Sequence, residues 1–271
     1  MVFIPPNTNT PRLTAYLLAE LPDAELQSFK RAFEFGTCAP FCPMLELVLQ
    51  RAPRDYVDKP HGYVRLREDE AGRTAPFVLL DPGSAPAEGV AAVWYVDRFA
   101  GADEVADGLA EATSVAWRIP VKTECLAVMY VNYAIGNMSI REDLGNLGVR
   151  FPVREEYAVE RAHDCGGLDM ERQYRSCSAY PVAYPGEFEE STDEEFRRRF
   201  LPVPAKVARF KEGVAESVGL VNGDWSIPSP ARSRRMPDGS LKEFPEGSVV
   251  LQTKYDPDFD WPEYKWPEGS L

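Results

Sequence analysis

Histidine is nearly absent from this chain: among 271 residues there are two, His61 and His163. So few imidazoles exclude a His-rich metal centre and leave acid–base chemistry near neutral pH little choice of residue. Long apolar runs are also missing. Nothing approaches the roughly 18–20 consecutive apolar residues needed to span a bilayer, so no membrane partner is expected. The opening "MVFIPPNTNTPR" lacks a basic stretch followed by a long apolar one, which argues against a secretory signal and for a cytoplasmic protein. Positive charge is in deficit, with 30 Lys and Arg against 43 Asp and Glu and a net charge of −13. The excess is spread over both halves, and a surface of this sign repels phosphate backbones, so nucleic-acid binding is not expected. Cysteine is sparse and odd in number: the five at 38, 42, 125, 165 and 177 follow no disulfide spacing. They read as buried or free thiols of a reducing compartment. Without a secretory route, the glycosylation triplet Asn137-Met138-Ser139 is a chance match.

Several site motifs are missing as well. The chain holds no phosphate-binding Gly-x-x-x-x-Gly-Lys-Ser/Thr loop, no dinucleotide fingerprint and no Gly-x-Ser-x-Gly elbow. Asp256, Asp258 and Asp260 alternate like the start of a calcium loop, but Trp261 stands where that loop needs glycine. Cys38 and Cys42 have no second pair at zinc-ligand spacing. No metal or cofactor is therefore expected.

The remaining composition, 44% hydrophobic and 27% charged, is that of an ordinary globular chain with a sizeable core. Leu13, Tyr16, Leu17 and Leu21 recur at helical spacing, a second helix runs from Asp23 to Gly36, and "CPMLELVLQR" reads as a third. These make residues 1–52 a helical N-terminal unit. From His61 the pattern alternates: "GYVRLRE" and "APFVLLD" read as a β-hairpin, "VAAVWYVD" as a central strand, and "SVAWRI" as another after a short helix from Asp103. Residues 61–150 are thus the sheet-forming core.

The segment 120–135 mixes helix and strand signals. Its length favours a helix starting at Pro120. In the loop-rich half, 151–271, Thr192 and Glu195 stand at capping-box spacing for a helix over Ser191–Phe200. Val207, Phe210, Val214 and Val218 suggest another across 204–218, and "SVVLQTKY" reads as one strand. The extended tail "DPDFDWPEYKWPEGSL" carries aromatics that a disordered segment would lack, so it is expected to dock on the protein's own surface, across the sheet or the 204–218 helix. With no Gly/Ser-rich linker, one globular domain over 1–271 is expected. The class is α+β (or mixed α/β), with N-terminal helices, a central mostly antiparallel sheet and long Pro-rich loops in the second half.

The stretch "NYAIGNMSIREDLGNL", residues 132–147, is rich in Asn and Gly. Asn132, Ile135, Asn137, Met138 and Glu142, with "WYVDRFAG" and "WRIP" before them, resemble a family of small, mainly actinobacterial domains of unknown function, over residues 93–144. That family pairs an Asn-x-x-Ile-x-Asn-Met segment with a following acid. It carries no activity to transfer. Read physically, the same residues are helix caps and turns, with Ser139 or Asn137 as cap.

Two stretches carry candidate chemistry. "AHDCGGLD" sets His163 two residues before Cys165, and an imidazole-activated thiolate is an established nucleophile. Residues so close in sequence are not expected to face each other productively. "RSRR" supplies Arg232, Arg234 and Arg235 as an anion-binding surface. The leading reading is therefore a non-catalytic binding or interaction module for a protein or small molecule. The alternative is a thiol-dependent hydrolase or transferase using Cys165 with His163 or His61.

Overall fold

In the computed structural model, which describes residues 2–7, 9–81 and 92–271, Leu47 and Leu49 alternate at period two with Leu45 just before them, and Glu46–Arg51 forms a strand where a helix was expected. The chain folds into two compact units. The larger comprises Thr10–Ala39, Pro43–Met170 and Tyr264–Leu271; the smaller comprises Met1–Asn9, Pro40–Cys42 and Glu171–Glu263.

The larger unit is built on a five-stranded sheet. Its strands are β1 (Arg12–Leu17), β2 (Glu46–Arg51), β3 (Phe77–Leu80), β4 (Ala92–Phe99) and β5 (Ala116–Lys122), in the order β2-β1-β3-β4-β5. Strand β1 pairs in parallel with β2 and β3, and the β3–β4 and β4–β5 pairs are antiparallel. The helix expected over residues 11–21 is instead β1. Ala15, Tyr16, Leu17 and Leu18 are all buried, because a strand with neighbours on both edges and cover on both faces reads as a continuous apolar run. Of the three helices expected in residues 1–52, only α1 (Asp23–Gly36) forms.

The expected hairpin strand "GYVRLRE" is likewise helical, in α2 (His61–Glu70). Its buried positions, His61, Val64, Arg65 and Glu68, have helical spacing, but three of them are polar and so escape a hydropathy reading. Arg65, 0% exposed, donates to the carbonyls of Ala75 at 2.8 Å, Asp97 at 3.3 Å and Arg73, and to Asp69 Oδ1 at 2.6 Å. Glu68 accepts from Tyr56 at 2.5 Å and from both arms of Arg73. Strands β3, β4 and β5 lie where expected, although Val90 and Ala91 at the start of "VAAVWYVD" lie outside the described residues.

The segment 120–135 divides. β5 runs on to Lys122, a single 3₁₀ turn covers Thr123–Cys125, and helix α4 (Leu126–Ala134) follows. Between β4 and β5 lies α3 (Ala102–Ala106), and α5 (Ile140–Asn146) follows α4. Gly36, the last residue of α1, lies so close to the 3₁₀ turn that a Cβ there would sit 1.9 Å from the Glu124 carbonyl oxygen. The tail docks on α1 and β2. Trp266 packs 5.6 Å from Phe33 by ring centroids and donates to Glu34 Oε1 at 2.7 Å, while the Leu271 N–H reaches the Leu49 carbonyl at 2.8 Å.

Helix α6 (Met170–Arg175) leads into the smaller unit. There β6 (Ser178–Ala179), β7 (Val182–Ala183), β8 (Phe188–Ser191), β9 (Val207–Phe210), β10 (Leu220–Val221), β11 (Ser229–Pro230), β12 (Ser233–Arg235), β13 (Leu241–Glu243), β14 (Val249–Val250) and β15 (Thr253–Tyr255) form small antiparallel sheets. Helix α7 is only Glu194–Arg197, and its cap is Asp193, which accepts from the Glu195 N–H at 2.9 Å, rather than Thr192. The helix expected over 204–218 is corrected to strand β9 and a 3₁₀ turn at Glu216–Val218. "SVVLQTKY" splits into β14 and β15, which join different sheets. Trp261 of the tail packs on Tyr255 and Phe259 and donates to the Asp256 carbonyl at 2.7 Å. Taken together the chain is α+β with mostly antiparallel sheets. Among the described residues no helix is long and apolar enough to cross a membrane.

Candidate active site

Strand β5 stands at the edge of the larger sheet, and its free edge captures the segment that carries His163. The His163 N–H donates to the Pro120 carbonyl at 2.7 Å, and the Lys122 N–H donates to the His163 carbonyl at 2.9 Å. This short parallel bridge, Val121 to His163, holds the imidazole in place and buries it. Contrary to the expectation that residues so close in sequence would not converge, His163 and Cys165 line the same cavity, near enough for each to act on the acidity of the other. Cys165 itself has φ +54°, left-handed backbone that is uncommon for a residue with a Cβ, and Gly166 and Gly167 continue the turn at +69° and +75°. The Gly167 N–H closes the turn onto Asp164. Backbone strain of this kind concentrates at functional sites.

A third group completes the cluster from the Asn-rich stretch. Ser139 caps α5: its Oγ accepts from the Glu142 N–H at 3.3 Å, and Glu142 Oε2 accepts from the Ser139 N–H at 2.7 Å. With its start fixed, α5 turns Asp143 inward, where its carboxylate is buried and its Oδ2 lies 3.6 Å from His163 Nε2. That is contact between charges, longer than a hydrogen bond, and such contacts tighten when a site is occupied. The Tyr133 hydroxyl, from α4, donates to the same oxygen at 2.8 Å. Burial, then the Asp143 charge, push the Tyr133 phenol pKa far above its ordinary value, so it stays protonated and a donor. The caps-and-turns reading of 132–147 holds for Ser139, while Asp143 of the same stretch reaches the chemistry.

The electrostatics of the three groups are mutually consistent. A hydrogen bond from Cys125 does most to lower the Cys165 thiol; burial opposes it, and the His163 hydrogen bond and charge assist. The thiol stands at about 6. For His163, burial disfavours the charged ring, but its Cys165 hydrogen bond and the Asp143 charge outweigh that and raise its basicity. Each group therefore favours the charged form of the other. Asp143, His163 and Cys165 line one cavity of about 760 Å³ together with Asn132, Asn146 and Arg161, a volume suited to a small ligand.

His61 takes no part in this cluster. It is buried by α2 against Trp94, beside Arg118 and 3.7 Å from Asp81, and burial lowers its basicity. Arg232, Arg234 and Arg235 lie exposed on and beside the β12–β13 hairpin, where Arg234 faces Lys242 across the ladder. The five cysteines are not all thiols: Cys38 and Cys177 are disulfide-bonded, while Cys42, Cys125 and Cys165 are free. Among the described residues no group of three or more His, Cys, Asp or Glu is placed to hold a metal.

Sequence reasoning missed Asp143, Tyr133 and Cys125. All three reach the site through the fold, and only the capping box at Ser139 signals the helix that orients Asp143. No protein family, curated protein or solved structure matches the chain.

Proposed function

We propose that this protein is a thiol-dependent hydrolase or transferase acting on an activated acyl group, with Cys165 as nucleophile. The convergence of Asp143, His163 and Cys165 on one cavity carries this reading. The Cys165 thiolate attacks the acyl carbon, a C–S bond forms and the carbonyl electron pair moves to oxygen. As the tetrahedral adduct collapses, the imidazolium of His163 protonates the leaving group. His163, now neutral, takes a proton from water or an acceptor, which attacks the thioester and returns Cys165 as thiolate. Asp143, steadied by Tyr133, holds the ring in orientation and favours its charged form. Asn132 lines the same cavity and would supply an amide donor to the oxyanion. Arg161 at the rim favours an acyl donor bearing a carboxylate or another anion.

The test is a burst experiment with p-nitrophenyl acetate followed by peptide mass mapping. The expected result is a burst of up to one nitrophenolate per chain with acetyl on Cys165, lost in Cys165→Ala and slowed in His163→Asn. Acylation of Cys165 no faster than of Cys42 overturns the assignment.

A second, non-catalytic reading is favoured by the hairpin that gathers Arg232, Arg234, Arg235 and Lys242 on an otherwise acidic chain. That surface suits an anionic small molecule or an acidic protein segment.

A further inference from the structure

The Cys165 thiolate has a neighbour that acyl transfer does not need. Cys125 ends the 3₁₀ turn before α4 and is 1% exposed; the Cys165 Sγ, as a thiol, donates to the Cys125 carbonyl oxygen at 3.6 Å, and the two thiols lie near enough to act on each other's acidity. A buried thiol held against a reactive thiolate invites oxidation. The two sides differ in freedom. Cys125 is fixed between α1 and α4, with Gly36 admitting the close approach of its turn. Cys165 sits in a left-handed turn followed by two glycines, whose backbone freedom lets its sulfur move toward the bonding distance of about 2.05 Å.

We infer that Cys125 is the resolving partner of Cys165, and that a hydroperoxide converts the pair to a disulfide that reversibly closes the site. The inference rests on the reading of Cys165 as the reactive thiolate and adds the regulation of that site. In the first step the Cys165 thiolate attacks the terminal oxygen of the hydroperoxide. The O–O bond breaks, His163 gives its proton to the departing alkoxide or hydroxide, and Cys165 becomes a sulfenic acid. In the second, the Cys125 sulfur attacks the Cys165 sulfur, the S–S bond forms, and the hydroxyl leaves as water with the Cys125 proton. The sum is two thiols and one hydroperoxide giving one disulfide, one alcohol or water, and one further water. Two electrons pass from sulfur to oxygen.

The order of events is built into the pair. While Cys165 is a thiolate, the hydrogen bond to it, burial and its negative charge all hold Cys125 protonated and inert. Oxidation to the neutral sulfenic acid removes that charge, so Cys125 becomes more acidic only once there is a sulfenic acid to resolve. Glu124, Asp164 and Asp143 remain as the acidic groups around the pair, and His163 as the basic one. Cys42 has different surroundings, shaped by Asn7 and Arg234.

The test treats the full chain with equimolar hydrogen peroxide, followed by thiol counting under denaturing conditions and non-reducing peptide mapping. The expected result is a fall from three free thiols to one, a Cys125–Cys165 cross-linked peptide, and, in peptide mapping, the return of both Cys125 and Cys165 as thiols after dithiothreitol. Cys125→Ser keeps a hydroxyl donor to the thiolate but cannot resolve it. There the expected product is a dimedone-reactive sulfenic acid on Cys165, which a second equivalent of hydrogen peroxide carries to a sulfinic acid that dithiothreitol does not recover. If wild-type Cys165 also goes to sulfinic acid, or Cys125 survives as a thiol, the inference is overturned. The alkylation profile of untreated wild-type Cys165 reports separately on the reading beneath it. A profile centred near 6 with no cross-link sinks the resolving role alone, whereas an ordinary thiol profile sinks both.

Discussion

Alkylation of Cys165 by iodoacetamide distinguishes a functional thiolate from a buried bystander, provided the pH is chosen well. With its acidity at about 6, Cys165 is roughly 90% thiolate at pH 7, against about 3% for an ordinary thiol near 8.5. That thirtyfold advantage is not what the assay reads. A thiolate of lower basicity is a weaker nucleophile, and a Brønsted coefficient of about 0.45 over roughly 2.5 units costs about thirteenfold. At pH 7 the two effects nearly cancel, leaving Cys165 only about twofold faster. At pH 5.5 the thiolate fractions are roughly 24% and 0.1%, and after the same correction Cys165 leads by about eighteenfold. The measurement is therefore the rate of carboxamidomethylation at each cysteine, followed by mass mapping from about pH 5 to pH 9. Cys165 is expected to plateau above neutral pH with a midpoint near 6, while Cys42, raised by burial, keeps climbing. His163→Gln removes a hydrogen bond and a positive charge from the thiolate, so the Cys165 midpoint moves up. A wild-type midpoint near that of an ordinary thiol, or one unmoved in His163→Gln, refutes the ion-pair reasoning.

Three further outcomes follow from the packing. Gly36→Ala forces a methyl onto the Glu124 carbonyl oxygen and is expected to cost about 2–4 kcal/mol in denaturant unfolding; a neutral result means α1 and the 3₁₀ turn do not meet so closely. Trp266→Ala removes a half-buried ring from Phe29 and Phe33 and a hydrogen bond from Glu34, for an expected loss of about 2–3 kcal/mol, less than for a fully buried indole; an unchanged melting curve with fully water-accessible fluorescence refutes the docked tail. Asp193→Ala is expected to lose about 0.5–1 kcal/mol and Thr192→Ala almost nothing, because Asp193 holds the cap; the reverse order restores Thr192.

Some of this protein is legible from residue order because the cause is local. Helix α1 carries its apolar stripe and ends at Gly36, α5 announces its start by Ser139 and Glu142, and β3 and β4 are dense in β-branched and aromatic residues. Where tertiary partners decide, the local signal misleads. Leu13, Tyr16 and Leu17 fit a helical period, yet β1 is extended because β2 and β3 occupy both its edges. Arg65 and Glu68 read as solvent-facing, but carbonyls, Asp69, Tyr56 and Arg73 satisfy them in the interior, so α2 hides its buried face among polar letters. The candidate site divides along the same line. His163 and Cys165 are visible as the only imidazole–thiol neighbours in the chain. That they share a cavity depends on the edge of β5, Asp143 arrives by the packing of α5, and Cys125 by the turn seated against Gly36. Residue order determines which groups are available to react; only the long-range pairing of strands and helices sets their separation, because Coulomb and hydrogen-bond energies depend on distances that span twenty to forty residues of chain.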